Sequence, residues 1–211
     1  FKDRVYMSNL CQEITLPTDP IQHIDQEGEI ALCILSAINV GLINKRDELE
    51  PLCDLAVRAL DEIIDHQKYP INAAEISTKA RRSLGIGYIG LAHYLAKKGY
   101  RYDQKMAWRQ VDKLTEAFQY YLLKASKEVA QEKGKCDYFD KTKYSDGVLP
   151  IDTYKKEVDE IVNRNLTYDW EWLRKEIKEH GLRHSTLTAQ MPSESSSVVS
   201  NATNGIEPPR D

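Results

Sequence analysis

The sequence predicts an α/β chain that is predominantly helical, with a few strands towards its two ends. Three observations predict this: apolar residues recur at helical spacing through most of 45–181, an apolar run from Glu29 to Ala37 follows Gly28, and a Thr-rich run from His184 to Met191 is free of Gly and Pro until Pro192.

The first segment, 6–18, is Tyr-Met-Ser-Asn-Leu-Cys-Gln-Glu-Ile-Thr-Leu-Pro-Thr. If it is extended, Asn9, Cys11 and Glu13 share a face, because side chains in a strand repeat every second residue. An amide, a thiol and a carboxylate would then reach one small molecule. A thiol can act as nucleophile, metal ligand or one-electron centre, a carboxylate can take a proton, and an amide can orient a hydroxyl. Spacing alone is weak, since an isolated Cys in an apolar stretch is more often a small core residue.

The run 29–37 suits either a buried strand or one helix face, and periodicity does not separate the two. Leu49, Leu52, Cys53, Ala56, Val57, Leu60, Ile63 and Ile64 then mark a helix, with Asp47 and Glu48 near its start where they complement the dipole. Leu84, Tyr88, Leu91 and Leu95 mark another, ended near Gly99, and Trp108 to Val129 a long one stopped by Gly134. The stretch 134–149 reads as a surface connection with a short helical turn. Asp152 and Asp169 are expected N-caps of two shorter helices, the second ending before Gly181. A strand over 184–191 leads into the serine-rich turn that ends at Ser197.

The chain has 211 residues, of which 41% are apolar and 29% charged, ordinary for a soluble globular protein. A net charge of −4 gives no bulk attraction to nucleic acid or to anionic membrane. No apolar run approaches the roughly 20 residues needed to span a bilayer, and a cytoplasmic location is expected. Both ends, Phe1 and Glu207–Asp211, read as cuts within a longer chain. The cysteines at 11, 33, 53 and 136 form no CxxC and suggest neither a zinc site nor a disulfide framework. Cys53 falls on a helix stripe and is expected in the core, whereas Cys136 in a turn could be exposed.

Gly85-Ile-Gly-Tyr-Ile-Gly90 matches the dinucleotide fingerprint GxGxxG, but the polar, basic stretch 76–83 stands where that fingerprint needs a buried strand. Close packing is the expected role of these glycines. Arg81 and Arg82 could bind an anion, although a solvated pair or a salt bridge is the commoner outcome. The turn Ser193-Glu-Ser-Ser-Ser197 could hold phosphate on its amides and hydroxyls, yet such turns are usually only turns or caps.

Taken together, 6–18, Gly28–Cys33, Arg82–Gly87, Leu149–Lys156, Met191–Ser197 and Asn201–Arg210 closely resemble, in order, the catalytic half of the large subunit of class I ribonucleotide reductase. The resemblance implies a predominantly helical fragment of a ten-stranded α/β barrel, with 6–18 as its finger loop, 29–37 as a strand through Cys33, and 184–197 as a strand with a phosphate-binding loop. It implies that Cys11 becomes a thiyl radical and takes hydrogen from C3′ of a ribonucleoside diphosphate. Glu13 would accept the 3′-hydroxyl proton and Asn9 would hold the ribose hydroxyls, with Leu10 and Gln12 completing the substrate loop. Cys33 would supply reducing electrons with a second thiol that this chain does not contain. Pro192, Ser193, Glu194, Ser195 and Ser196 match the motif that grips the diphosphate; Ser195 stands where the family often has Thr.

The resemblance also implies a homodimeric parent and a radical-generating small subunit that carries a metal/tyrosyl radical cofactor. Thioredoxin or glutaredoxin would act through a tail absent here, and ATP/dNTP effectors would bind elsewhere. No cofactor or metal is expected in this chain, and no reductase activity from it alone. Alternatives are a non-catalytic helical assembly module, a split subunit, or a nucleotide-binding protein built on the serine-rich turn.

Overall fold

Two parallel strands, β1 (Ile34–Asn39) and β2 (Leu84–Ile89), lie in register from Ile34 opposite Leu84 to Asn39 opposite Ile89. The computed structural model of the chain describes residues 1–23, 27–162 and 165–209. Residues 163 and 164 of the expected helical region, Arg210 of the C-terminal motif, and Asp211 lie outside the described residues.

Between the strands run α1 (Leu49–His66) and α2 (Asn72–Arg81); after β2 come α3 (Leu91–Lys97), α4 (Lys105–Lys133), α5 (Pro150–Thr153), α6 (Val158–Val162), α7 (Trp170–His180) and α8 (Glu194–Val199). The architecture is α/β and mostly helical, as expected. α1 packs on α4 and on both strands, burying Leu49, Cys53, Val57, Leu60 and Ile64 against a core that includes Leu114, Phe118, Leu122 and Val129 of α4. Leu52 and Ile63, placed on the same stripe by spacing, face outward. Asp169 does cap α7, accepting from Trp172 N at 2.9 Å, whereas Asp152 lies inside α5 and its carboxylate reaches back to Leu149 N at 2.7 Å.

The structure corrects the expected helix from Leu84 to Leu95 and, with it, an unbroken helical region 45–181. Leu84–Ile89 is a strand whose six residues are all buried, and only Leu91–Lys97 is helical. The spacing of Leu84, Tyr88, Leu91 and Leu95 misleads because it straddles a strand–helix junction at Gly90, whose φ of +80° suits glycine. A strand covered on both faces shows no polar alternation.

The strand expected over 29–37 begins later, at Ile34, so Cys33 immediately precedes β1. Nor is 184–191 a full strand. It lies extended beside β2, with Leu84 N bonded to Thr186 O at 3.0 Å, Ile86 N to Leu187 O at 2.8 Å, and a single parallel bridge between Ile86 and Thr188. Glycines let it come close: a Cβ on Gly87 would lie 2.4 Å from the carbonyl oxygen of Ala189. Close packing is thus the role of these glycines, in a strand rather than a helix. Cys136 is buried, held by Cys136 N bonding Leu182 O at 3.0 Å.

Two buried ion-pair networks fix the elements around the strands. Arg81 binds Glu29 through two hydrogen bonds of 2.8 and 2.7 Å and pairs with Asp3, tying the approach to Cys33 onto the end of α2. Arg82, at φ +47°, binds Asp61 at 2.7 Å and Asp65 at 2.8 Å. Asp61 also meets His184 Nε2 at 3.1 Å and Arg183 Nε at 3.3 Å, and Ser126 Oγ lies 2.9 Å from His184 Nδ1. The arginine pair is therefore structural, and deeply so.

Candidate active site

The segment 6–18 is a hairpin rather than one extended run. Ser8 bridges Thr15 in antiparallel sense, Asn9 N bonds Ile14 O at 3.3 Å, and Gln12 N bonds Asn9 O at 3.1 Å. The turn needs a positive φ of 59° at Gln12. Asn9, Cys11 and Glu13 consequently do not line one strand face. Leu10 and Cys11 stand exposed at the tip, Asn9 accepts Ile14 N on its Oδ1 at 3.3 Å, and Glu13 turns inward.

At its base the hairpin buries Ile14 and Leu16 against Ala189, with Ala31 and Cys33 packed alongside. This small apolar cluster brings the first segment, the start of β1 and the extended 184–191 segment together. A Cβ on Gly85 would lie 2.8 Å from Cys33 Sγ and 3.0 Å from Ala189 Cβ, so the glycine makes room for the thiol over β2.

A cleft of about 590 Å³ opens here, lined by Asn9, Glu13, Pro20, Glu29 and Cys33 among others. Glu13 Oε2 is buried with no hydrogen-bond partner. Burial, with the nearby Glu13 charge adding to it, pushes the Cys33 thiol up to about 12. Cys33 is therefore a protonated thiol at neutral pH, with little thiolate to act as a nucleophile. A carboxylate without a partner beside a protonated thiol is equipped to accept a proton from a third group. All four cysteines are free.

The serine-rich turn lies beyond the 184–191 segment, four residues from Ala189, or at most about 14 Å of extended chain. It does not line the cleft of Glu13 and Cys33. Met191 and Pro192 lead into Ser193, which is buried, while Glu194, Ser195 and Ser196 on the first turn of α8 are exposed. Ser193 Oγ donates to Met191 O at 3.1 Å and Ser196 Oγ to Ser193 O at 3.2 Å.

Two contributors to this region are not singled out by the sequence. Asn204 Oδ1 accepts Ser193 N at 2.9 Å, and Gln190 joins the backbone of Tyr88 through a 2.8 Å bond from Nε2 to the carbonyl and a 3.4 Å bond from the amide to Oε1. Asn204 lies within the string Asn201–Arg210 that carries the resemblance, but nothing in the sequence gives its side chain a role. Gln190 gives no signal, because its side chain takes the place of a ladder bond that a regular strand would make through its backbone.

Among the described residues, one group of three could present ligand atoms to a metal: Glu176, Glu179 and His180, within 4.8 Å of one another on α7, away from this cleft. None of the described helices is long and apolar enough to cross a membrane.

Comparison with known proteins gives a consistent result. The profile of the family described as ribonucleotide reductase, barrel domain, matches residues 1–211. The chain is 61% identical over 207 residues to the ribonucleoside-diphosphate reductase subunit alpha of Haemophilus influenzae, covering 98% of this chain and 27% of that protein. It is 60% identical to ribonucleoside-diphosphate reductase 1 subunit alpha of Escherichia coli over the same shares, and 44% identical to the alpha subunit of phage T4 over 99% of this chain and 27% of that protein. The chain thus spans about a quarter of the length of these relatives.

Proposed function

This chain belongs to the ribonucleotide reductase barrel-domain family, and from that membership we propose that it carries the radical-bearing hairpin and the diphosphate loop of a ribonucleoside-diphosphate reductase large subunit. One observation carries the reading: a hairpin exposes Cys11 at its tip and, two residues on, places the unpartnered Glu13 Oε2 in the same cleft as Cys33.

In this reading the Cys11 thiyl forms an S–H bond as the C3′–H bond of the substrate breaks, while Glu13 accepts the 3′-hydroxyl proton. Asn9, its amide oriented by Ile14 N, holds the ribose hydroxyls, with Leu10 and Gln12 shaping the loop. The 2′-hydroxyl leaves as water. Two thiols, Cys33 and one outside this chain, supply two electrons and two hydrogens and end as a disulfide. The balance is one C–OH and two thiols giving one C–H, one disulfide and one water. Cys11 then returns its hydrogen to C3′ and recovers the radical. Pro192 to Ser196 grip the diphosphate.

The relatives are named as alpha subunits, which implies a partner subunit in their assemblies. Here that partner would be the radical-generating subunit, whose metal/tyrosyl radical supplies the one-electron oxidation. Thioredoxin or glutaredoxin would re-reduce the disulfide, the parent would be a cytoplasmic homodimer, and ATP/dNTP effectors would bind outside these residues.

The test is a chimera in which these 211 residues replace the matching segment of the Escherichia coli subunit. With its partner subunit it should reduce ribonucleoside diphosphates, and Cys11→Ser should abolish turnover, because an O–H bond is too strong for reversible radical formation. Sustained turnover by the serine variant would remove the radical assignment.

A further inference from the structure

The residues after α8 are held by the strand ends, not by α8 alone. Gly90 N, just past β2, bonds Thr203 O at 2.8 Å; Asn39 Nδ2, the last residue of β1, bonds Ser200 O at 3.5 Å; and Tyr102 OH donates to the carbonyls of Ile206 and Glu207, both at 3.1 Å. Within this anchored return, Asn204 sends its side chain back eleven positions to take Ser193 N at 2.9 Å. Ser193 is itself buried and its hydroxyl is engaged with Met191 O. Both polar groups of Ser193 with a hydrogen to give are therefore committed inside the protein.

We propose that Asn204 is a positioning residue for the diphosphate loop, transmitting the placement of the β1 and β2 ends to Ser193 and so to the exposed Ser195 and Ser196. This rests on the reading that Pro192–Ser196 form the diphosphate loop, in which the exposed Ser195 and Ser196 make the contacts because both hydrogens of Ser193 are already taken. Asn204 touches no substrate. Its amide oxygen fixes where the first turn of α8 begins, and loss of that anchor lets the loop sample positions that bind diphosphate less well. Such a residue changes substrate affinity more than the chemical step, which takes place at the hairpin.

The experiment uses the full-length subunit carrying these residues, with its radical-generating partner, and compares Asn204→Ala, Asn204→Asp and the double variant Ser195→Ala/Ser196→Ala. Asn204→Ala should raise KM for a ribonucleoside diphosphate about tenfold, with the loss in KM rather than kcat. It should also speed hydrogen exchange at the Ser193 amide. Asn204→Asp keeps an acceptor, so the Ser193 amide stays protected, but its carboxylate beside the loop should raise KM in a way that added salt relieves. If Asn204→Ala fails to fold, the Asp variant decides by rescue: with the Ser193 amide protected, its KM should return close to that of the unchanged subunit at high salt, and a KM that stays raised there would overturn the proposal. An unchanged KM in both Asn204 variants, while the double serine variant raises KM, would overturn the proposal and leave the loop assignment standing. No change in the serine variant either would remove the loop assignment and the proposal with it.

Discussion

Glu13 lies close enough to Cys33 that its charge adds to burial in keeping the thiol protonated, up to about 12. The carboxylate comes from the hairpin and the thiol from the approach to β1, twenty positions apart in sequence. Burial is the larger cause and Glu13 the smaller, so removing the charge alone brings the thiol only part of the way back to its ordinary acidity.

Thiol labelling at pH 8 should therefore modify exposed Cys11 first and Cys33 much more slowly, as only a small thiolate fraction exists at Cys33. Glu13→Gln removes the like charge and should speed Cys33 labelling while leaving it slower than a free thiol, since burial persists. Peptide mapping after timed alkylation reads both sites, and unchanged Cys33 labelling in the Gln variant would show that the coupling is negligible.

Cys33→Ser should fail differently from Cys11→Ser in the active chimera. In the proposed mechanism the reducing thiol enters only after the first hydrogen abstraction, so Cys33→Ser should begin substrate radical chemistry and then stall or release breakdown products, whereas Cys11→Ser should leave substrate intact. Product analysis distinguishes them. Ordinary multiple turnover by Cys33→Ser would make Cys33 a packing residue only.

Gly87→Ala should destabilise the protein by about 1–3 kcal/mol and more than Gly85→Ala does. At Gly87 the new carbon meets a backbone carbonyl at 2.4 Å, whereas at Gly85 its two nearest neighbours are the ends of the Leu35 and Cys33 side chains, which can rotate aside. Urea melts of the two variants test the order. Gly85→Ala should additionally alter Cys33 labelling, because the thiol is one of the groups displaced.

Acid should weaken the fold in two stages. Burial pushes the His184 pKa down against the raising effect of Asp61, so on acidification the unfolded chain takes up a proton at this histidine before the native one does. Stability thus falls below about pH 6.5, by up to about 1.4 kcal/mol per pH unit. Burial opposes ionisation of Asp61, but His184 and Arg82 outweigh it and hold the carboxyl well below its usual range. Its contribution is present above about pH 4 and is lost as pH falls further. The neutral imidazole donates from Nε2 to Asp61 and accepts at Nδ1 from Ser126, and Arg82, Arg183, Lys133 and Asp65 complete the charged surroundings. His184→Gln should flatten the upper stage in a pH series of denaturant melts. Asp61→Asn, which leaves buried Arg82 with Asp65 as its remaining carboxylate, should cost about 3 kcal/mol, the lower end for a broken buried pair.

The long amphipathic helices were legible because each shows several turns of apolar spacing, reinforced by a glycine stop in α4 at Gly134 and in α7 at Gly181. The short, doubly buried β2 was not, since its glycines lower strand propensity and its burial pattern lacks alternation. Of the site, the identities of Cys11, Glu13 and Cys33 could be singled out from motif strings. Their arrangement could not, because the turn at Gln12 uses a left-handed conformation with no glycine to announce it. The burial of Cys136 escaped for a different reason: it depends on Leu182, 46 positions away.

Asp61 gathers partners that the chain synthesises far apart: Arg82 is 21 positions away and His184 is 123. Closing the second loop carries a larger entropic cost, so α1 and α4 can associate before the 184–191 segment arrives, whereas the reverse order has nothing to dock upon. The carboxylate then acts as a checkpoint on completion. Without His184 and Arg183 it has Arg82 and Lys133 as partners, and the groove along β2 lacks its cover. When they dock, the groove closes and the hairpin base of Ile14 and Leu16 gains the Ala189 surface on which it sits. The hairpin base is in this way tied to Asp61 through the one segment that carries both His184 and Ala189, although hairpin and carboxylate lie far apart in the chain.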